Sequence, residues 1–179
     1  MDIVIEEAAR CGLRWGRPDG VPVSRKAVVA ETRSWIGTPF MHQHSVKGHG
    51  VDCGGLVRGI SVALGLIPSN YRDLVPIDLR GYSQHPHGDL GLRLCDHYWQ
   101  RINQYQMRPG DVVLVRWGSN SPPSHSAIVA DYLHGGLSMI HALGPGHPCK
   151  VIENSMRWLE MSDSNGPKLV AAYSLPGVE

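Results

Sequence analysis

Several things are scarce in this sequence, and each scarcity removes a class of protein. No stretch approaches the roughly 18 consecutive apolar residues that carry a helix across a bilayer. Seventeen Lys and Arg stand against sixteen Asp and Glu, for a net charge of +1. They are scattered, and no basic run interleaved with aromatics points to nucleic acid. The start, Met1-Asp2-Ile3-Val4-Ile5-Glu6-Glu7, lacks the basic and apolar regions of a secretory signal. The four cysteines (Cys11, Cys53, Cys95, Cys149) form no CxxC pair and follow no regular spacing, so they read as reduced thiols. There is no internal repeat and no low-complexity tract, and phenylalanine occurs once, as Phe40.

What remains is a chain of 179 residues, 42% apolar and 18% charged, enough for one globular domain with its own core. Arg17-Pro18-Asp19-Gly20 is a turn signal that closes an N-terminal segment, residues 1–23. Ser24 is placed to cap a helix reaching about Trp35, with Ala27, Val28, Thr32 and Trp35 at helical spacing and Gly37 and Pro39 beyond it. A glycine-rich loop from Thr38 to Asp52 leads to a second helix that opens near Cys53. It carries Leu56, Val57, Ile60 and Leu64 on one stripe, with Asp52 as its cap and Gly65 at its end. Pro68 to His87 reads as an irregular excursion, around 68–100 in all, that includes a helix from Asp89 to about Trp99.

The period changes after Pro109-Gly110-Asp111. Val112–Val115 is an apolar run suited to a buried strand. His125–Asp131 and Gly136–Ala142 are two more strands, and His134-Gly135-Gly136 joins them as an antiparallel hairpin. Lys150–Glu153 and Leu169–Tyr173 complete the sheet. Helices first and antiparallel strands afterwards predict an α+β domain over 24–175.

The chemistry converges on Cys53. A thiol at a helix start receives the positive end of the dipole and free N–H groups, which predicts a stabilised thiolate. A base must reach the sulfur, and its second ring nitrogen needs a partner to set the tautomer. His125 begins one hairpin strand and His141 nearly ends the next, so antiparallel pairing can bring them side by side. Ala127 and Val129 share the face of His125, as Leu137 and Met139 share that of His141, and the Cys53 helix is expected to pack on that face. A Cys–His–His arrangement is therefore geometrically available.

Four segments in order, Gly37-Thr38-Pro39-Phe40, Gly50-Val51-Asp52-Cys53-Gly54-Gly55-Leu56-Val57, Pro109-Gly110-Asp111-Val112-Val113 and His125-Ser126-Ala127-Ile128-Val129, resemble the NlpC-type cell-wall cysteine peptidases. The resemblance runs from about Ser24 to Tyr173. It implies a papain-like α+β core, N-terminal helices on an antiparallel sheet, and no cofactor. It also implies Cys53 as nucleophile, His125 as general base and acid, His141 as the orienting third residue, and peptidoglycan stem peptides as substrate for an endopeptidase or amidase. The loop around His42-Gln43 and Ser45-Val46-Lys47-Gly48 looks like the subgroup of phage tails and gene transfer agents. That implies tail or baseplate proteins as partners, and an enzyme made in the cytoplasm and incorporated into a virion-like particle. An idle peptidase fold serving as a structural tail-tip part is the alternative.

One departure concerns the oxyanion. Relatives often carry Tyr where this chain has Phe40, which cannot donate a hydrogen bond. The substrate and oxyanion candidates are accordingly Phe40, His42, Gln43 and Asp52, with Trp117 as a substrate contact. His44 and His49 could line the cleft, and Arg58 could meet a substrate carboxylate. His42-Gln43-His44, His85-Pro86-His87 and His147-Pro148-Cys149 lack the four-ligand spacing of a structural zinc site, so no metal is expected.

Overall fold

The computed structural model describes residues 6, 10–71, 83, 88–160 and 165–179. The expectations for most of the first nine residues, and for residues 72–82 and 84–87 (His85 and His87 among them), lie outside the described residues.

Helix α1 spans Arg25–Arg33, and the Ser24 hydroxyl accepts from the Ala27 N–H at 3.2 Å. The short strands β1 (Ser45–Val46) and β2 (Gly50–Val51) form an antiparallel ribbon. Helix α2 spans Cys53–Ala63; Asp52 is extended and its carboxylate accepts from the Gly55 N–H at 2.7 Å. Gly65 follows at φ +70°, the left-handed conformation that ends helices cheaply when no Cβ is present. Helix α3 (Leu90–Tyr98) leads into β3 (Gln100–Ile102). Then come β4 (Val112–Trp117), β5 (His125–Asp131), β6 (Leu137–Ala142), β7 (Val151–Ser155), the one-turn helix α4 (Arg157–Glu160) and β8 (Pro167–Ser174).

Six strands form one sheet in the order β3-β8-β4-β5-β6-β7, every pairing antiparallel. The β5–β6 hairpin forms as expected, with Gly135 and Gly136 at φ 89° and 79°. Three strands were not anticipated. Strand β3 is three residues with only Ile102 apolar, and β1 and β2 have two residues each, too short for alternation to register.

The sheet buries both faces. Leu56, Val57 and Ile60 of α2 pack with Ile128 and Ala130 of β5 and Ile140 and Ala142 of β6. The odd-numbered Ala127, Val129 and Met139 point the other way, into a second core with Val113, Val115 and Leu159. Strand side chains alternate, so neighbours in sequence serve opposite cores. This corrects one expectation: α2 packs on the face opposite Ala127 and Val129, which is also opposite the face that carries His125.

The segment before β1 is stitched to the far edge of the sheet. Gly37 N–H donates to the Val151 carbonyl, Val151 N–H to the Thr38 carbonyl, and Phe40 N–H to the Cys149 carbonyl, at 2.8–2.9 Å. The loop ahead of Cys53 is thereby tied both to β7 and to the turn that precedes it.

Candidate active site

Cys53 is half-buried at the first position of α2, and its Sγ lies 3.7 Å from the Ser124 carbonyl. The residue after Ser124 is His125. Cys53 thus meets the β5 strand at its mouth, where the helix N-terminus comes around from the opposite core. The sulfur's hydrogen bond goes to this backbone carbonyl rather than to the imidazole.

The expected thiolate is corrected. Burial, and next the Asp52 carboxylate, raise the Cys53 pKa; the N–H groups of Ser126 and Gly54 and the Arg58 guanidinium pull it down by less. A helix dipole acts over a first turn and is worth a fraction of a kcal/mol at an ordinary site, whereas desolvating an anion costs more. Position 53 is a thiol at rest.

The two histidines do come together. His125 Nε2 lies 2.9 Å from His141 Nδ1, and the rings cross at 62° with centroids 5.1 Å apart. The β5–β6 register pairs Ile128 with Ile140, and one step further sets Ala127 opposite His141. His125 is then the diagonal neighbour on the same face, within reach of a long side chain. His141 has no exposed surface and His125 is 7% exposed. Burial, reinforced by the nearby imidazoles of His141 and His147, pushes the His125 pKa down to about 3. His141 is pushed down to about 4 by burial, with Asn154 opposing and His147 adding to the fall. At neutral pH both rings are uncharged, so one donates and the other accepts.

Aromatic side chains enclose the pair. Trp117 stands 5.8 Å from His125, stacks at 28° on His147, and meets Trp158 edge-on; Trp158 in turn meets His141 at 5.5 Å. Trp117, expected as a substrate contact, is therefore beside His125. Sequence reasoning missed Trp158 and His147. Trp158 follows a strand on a single helical turn, and His147 drew attention only as a poor metal ligand. Neither position carries a periodic signal.

Asp52 and Phe40 are engaged within the loop and the core. The Asp52 side chain is buried and accepts from the Gln43 N–H at 2.6 Å as well as from Gly55, with His42 Nδ1 at 3.5 Å and Arg58 Nη2 at 3.8 Å. It ties the loop to the helix, and a carboxylate cannot donate to an oxyanion in any case. Phe40 packs: its ring would lie 3.2 Å from a Cβ placed at Gly144. Gln43 adopts φ 61°, an uncommon conformation for a side-chain-bearing residue, and its N–H is committed to Asp52. His44 and His49 bond the carbonyls of His42 and Lys47 in the same loop. Arg58 folds back over Gly54, where a Cβ would sit 3.0 Å from Nη1. Among the described residues no group of three or more His, Cys, Asp or Glu is arranged to hold a metal. No described helix is long and apolar enough to cross a membrane.

No protein-family model matches the chain, and neither does any curated protein. Solved structures do. The NlpC/p60 domain of the peptidoglycan hydrolase SagA aligns over 86% of this chain and all of its own, at 24% identity and TM-score 0.53. NlpC1 and NlpC2 from Trichomonas vaginalis each align over 90% of this chain, at TM-score 0.52 and 17% and 16% identity. This chain spans about half of those two, 47% and 49%. The fold is the NlpC/p60 fold, mixed helix and antiparallel sheet, as the sequence had implied.

Proposed function

We propose that this protein is a cysteine endopeptidase or amidase of bacterial cell-wall stem peptides, with Cys53, His125 and His141 as its triad. The observation that carries the reading is the buried imidazole pair at 2.9 Å, with the sulfur against the carbonyl of the residue next to His125. The NlpC/p60 fold, shared with the hydrolase SagA, supports the choice of peptidoglycan as substrate.

In this mechanism Sγ leaves the Ser124 carbonyl to attack the scissile carbonyl carbon, and His125 takes the thiol proton in the same step. Because the resting pair is neutral, His125 acts as a general base rather than as half of a preformed ion pair. The oxyanion draws on the backbone N–H at the start of α2, with His42 and Gln43 as side-chain candidates. The imidazolium is steadied by His141, whose Nδ1 accepts from His125 Nε2–H, and it then protonates the departing amine. Water deprotonated by His125 attacks the acyl-enzyme, releasing the carboxylic acid and returning a proton to sulfur. Trp117 shields the base and forms a wall for the peptide.

The likeness of the His42–Gly48 loop to tail peptidases supports carriage on a phage-like tail, with the N-terminal segment packed onto the catalytic domain through Leu13, Trp15 and Val23. Co-sedimentation with tail particles tests that part. The catalytic reading is tested by digesting purified sacculi and weighing the released fragments. Release by the native protein, absent for Cys53→Ala and His125→Ala, is expected. A folded native protein that releases nothing would leave the structural tail-tip role instead.

A further inference from the structure

The relay between the two histidines has two possible polarities, and only one of them makes a working base. If His125 carries its proton on Nε2, it donates to His141 Nδ1 and leaves its own Nδ1 as a lone pair. If His141 instead carries its proton on Nδ1, it donates to His125 Nε2, which places the His125 proton on Nδ1. No lone pair then remains for the thiol. A 2.9 Å separation is compatible with either state. The choice falls to whatever meets the remaining nitrogen, His141 Nε2.

That nitrogen is buried and has no hydrogen-bond partner within ordinary geometry. On β7, Ile152 pairs with His141 and Asn154 pairs with Met139. Asn154 is therefore the diagonal neighbour of His141, with its partner Met139 on the same face as His141. Its side-chain amide lies close enough to the ring to raise the His141 pKa against the fall that burial imposes. The other titratable groups that bear on this ring are His125 and His147. Glu153, the adjacent residue on β7, turns the other way and is held by Arg33 and Ser138.

We propose that Asn154 is a positioning residue of the triad, its carbonyl oxygen accepting from His141 Nε2–H and so setting the relay in the polarity that frees His125 Nδ1. The chain then runs from Asn154 through His141 and His125 to Cys53, each ring donating toward Asn154. A buried nitrogen without an acceptor would otherwise carry its proton unpaired, at a desolvation cost that favours the reverse polarity. Asn154 acts only through His141 and touches no substrate. The inference rests on the proposed triad.

The test compares Asn154→Leu, which keeps the branched shape and loses the acceptor, with Asn154→Asp, which keeps the acceptor and adds charge. Two readouts are used. Nitrogen-15 chemical shifts of the His141 ring report the tautomer without any turnover. The native protein and Asn154→Asp are expected to show Nε2–H, and Asn154→Leu a population with Nδ1–H. The second readout is fragment release from purified sacculi against pH. Asn154→Leu is expected to lose on the order of 10- to 100-fold, the size seen when the partner of a functional histidine is removed. Asn154→Asp should keep most activity and move the acidic limb to higher pH, because a carboxylate stabilises the imidazolium. An unchanged His141 tautomer in Asn154→Leu overturns the proposal, whatever the activity. Equal losses in both variants with the pH limb unmoved overturn it too. If the native protein digests nothing while the tautomer shifts as described, the catalytic reading fails and the positioning role stands.

Discussion

His125 Nε2 and His141 Nδ1 meet at 2.9 Å on the face of the β5–β6 hairpin opposite the one that α2 covers. The helix that carries Cys53 and the strand face that carries His125 thus belong to different cores, and the Cys53 sulfur reaches the start of β5 at the Ser124 carbonyl.

Alkylation of Cys53 should follow a neutral thiol. Burial and Asp52 raise its pKa, while His125 is uncharged above about pH 3. Inactivation by iodoacetamide is expected to climb steadily into the alkaline range, with no plateau across pH 4–8. A plateau there would mean a thiolate–imidazolium pair at rest.

The charge at position 52 can be separated from its capping role. Asn is as good a cap as Asp, so Asp52→Asn should keep the Gly55 contact while removing the carboxylate that disfavours the thiolate. Its thiol should alkylate faster than the native one at pH 7. Asp52→Ala also loses the acceptor for Gln43 and Gly55, and a drop of about 1–3 kcal/mol in denaturant stability is expected. Slower alkylation in Asp52→Asn would contradict the assigned sign.

Acid should unfold the protein through its buried histidines. The folded-state values lie at about 3 for His125 and about 4 for His141, well below the free value of 6.5. Between roughly pH 6.5 and 4 the unfolded chain binds protons that the folded one refuses. Stability therefore falls with falling pH in that window, by up to about 1.4 kcal/mol per pH unit for each histidine. Urea melts across this range measure the slope, and His141→Asn should flatten it.

Trp117 helps keep His125 dry, standing 5.8 Å from its ring. In Trp117→Ala water reaches the imidazole, and the His125 pKa should rise toward the ordinary histidine value. The acidic limb of sacculus digestion is expected to move up in pH accordingly. An unmoved limb would show that other walls do the excluding.

Gly55 tests the junction between loop and helix. A Cβ there would lie 1.9 Å from the His44 carbonyl oxygen, a backbone atom that cannot swing aside. Gly55→Ala is expected to lower the melting temperature sharply and to abolish any activity together with it. A melt close to that of the native protein would mean that the loop yields.

Much of this was legible without coordinates, and the reasons differ by element. Ser24 and Asp52 announce their helices because capping is local chemistry between a side chain and an N–H three residues on. The β5–β6 hairpin was readable from alternation and two glycines. The pairing of His125 with His141 followed from strand register, which is also local once the turn is known. Phe40 and Trp158 were not legible in role, since each is decided by which distant segment lies against it.

The order of segments and the type of each side chain by themselves determined which nucleophile and which imidazoles this chain could bring to a reaction. Only the tertiary structure decided that the thiol is protonated, that both rings are neutral, and that α2 and the histidines occupy opposite faces. Ionisation depends on the water excluded from around a group. That exclusion is the work of side chains from separate elements, Trp117 on β4 and Trp158 on α4, which only the fold sets around the two rings.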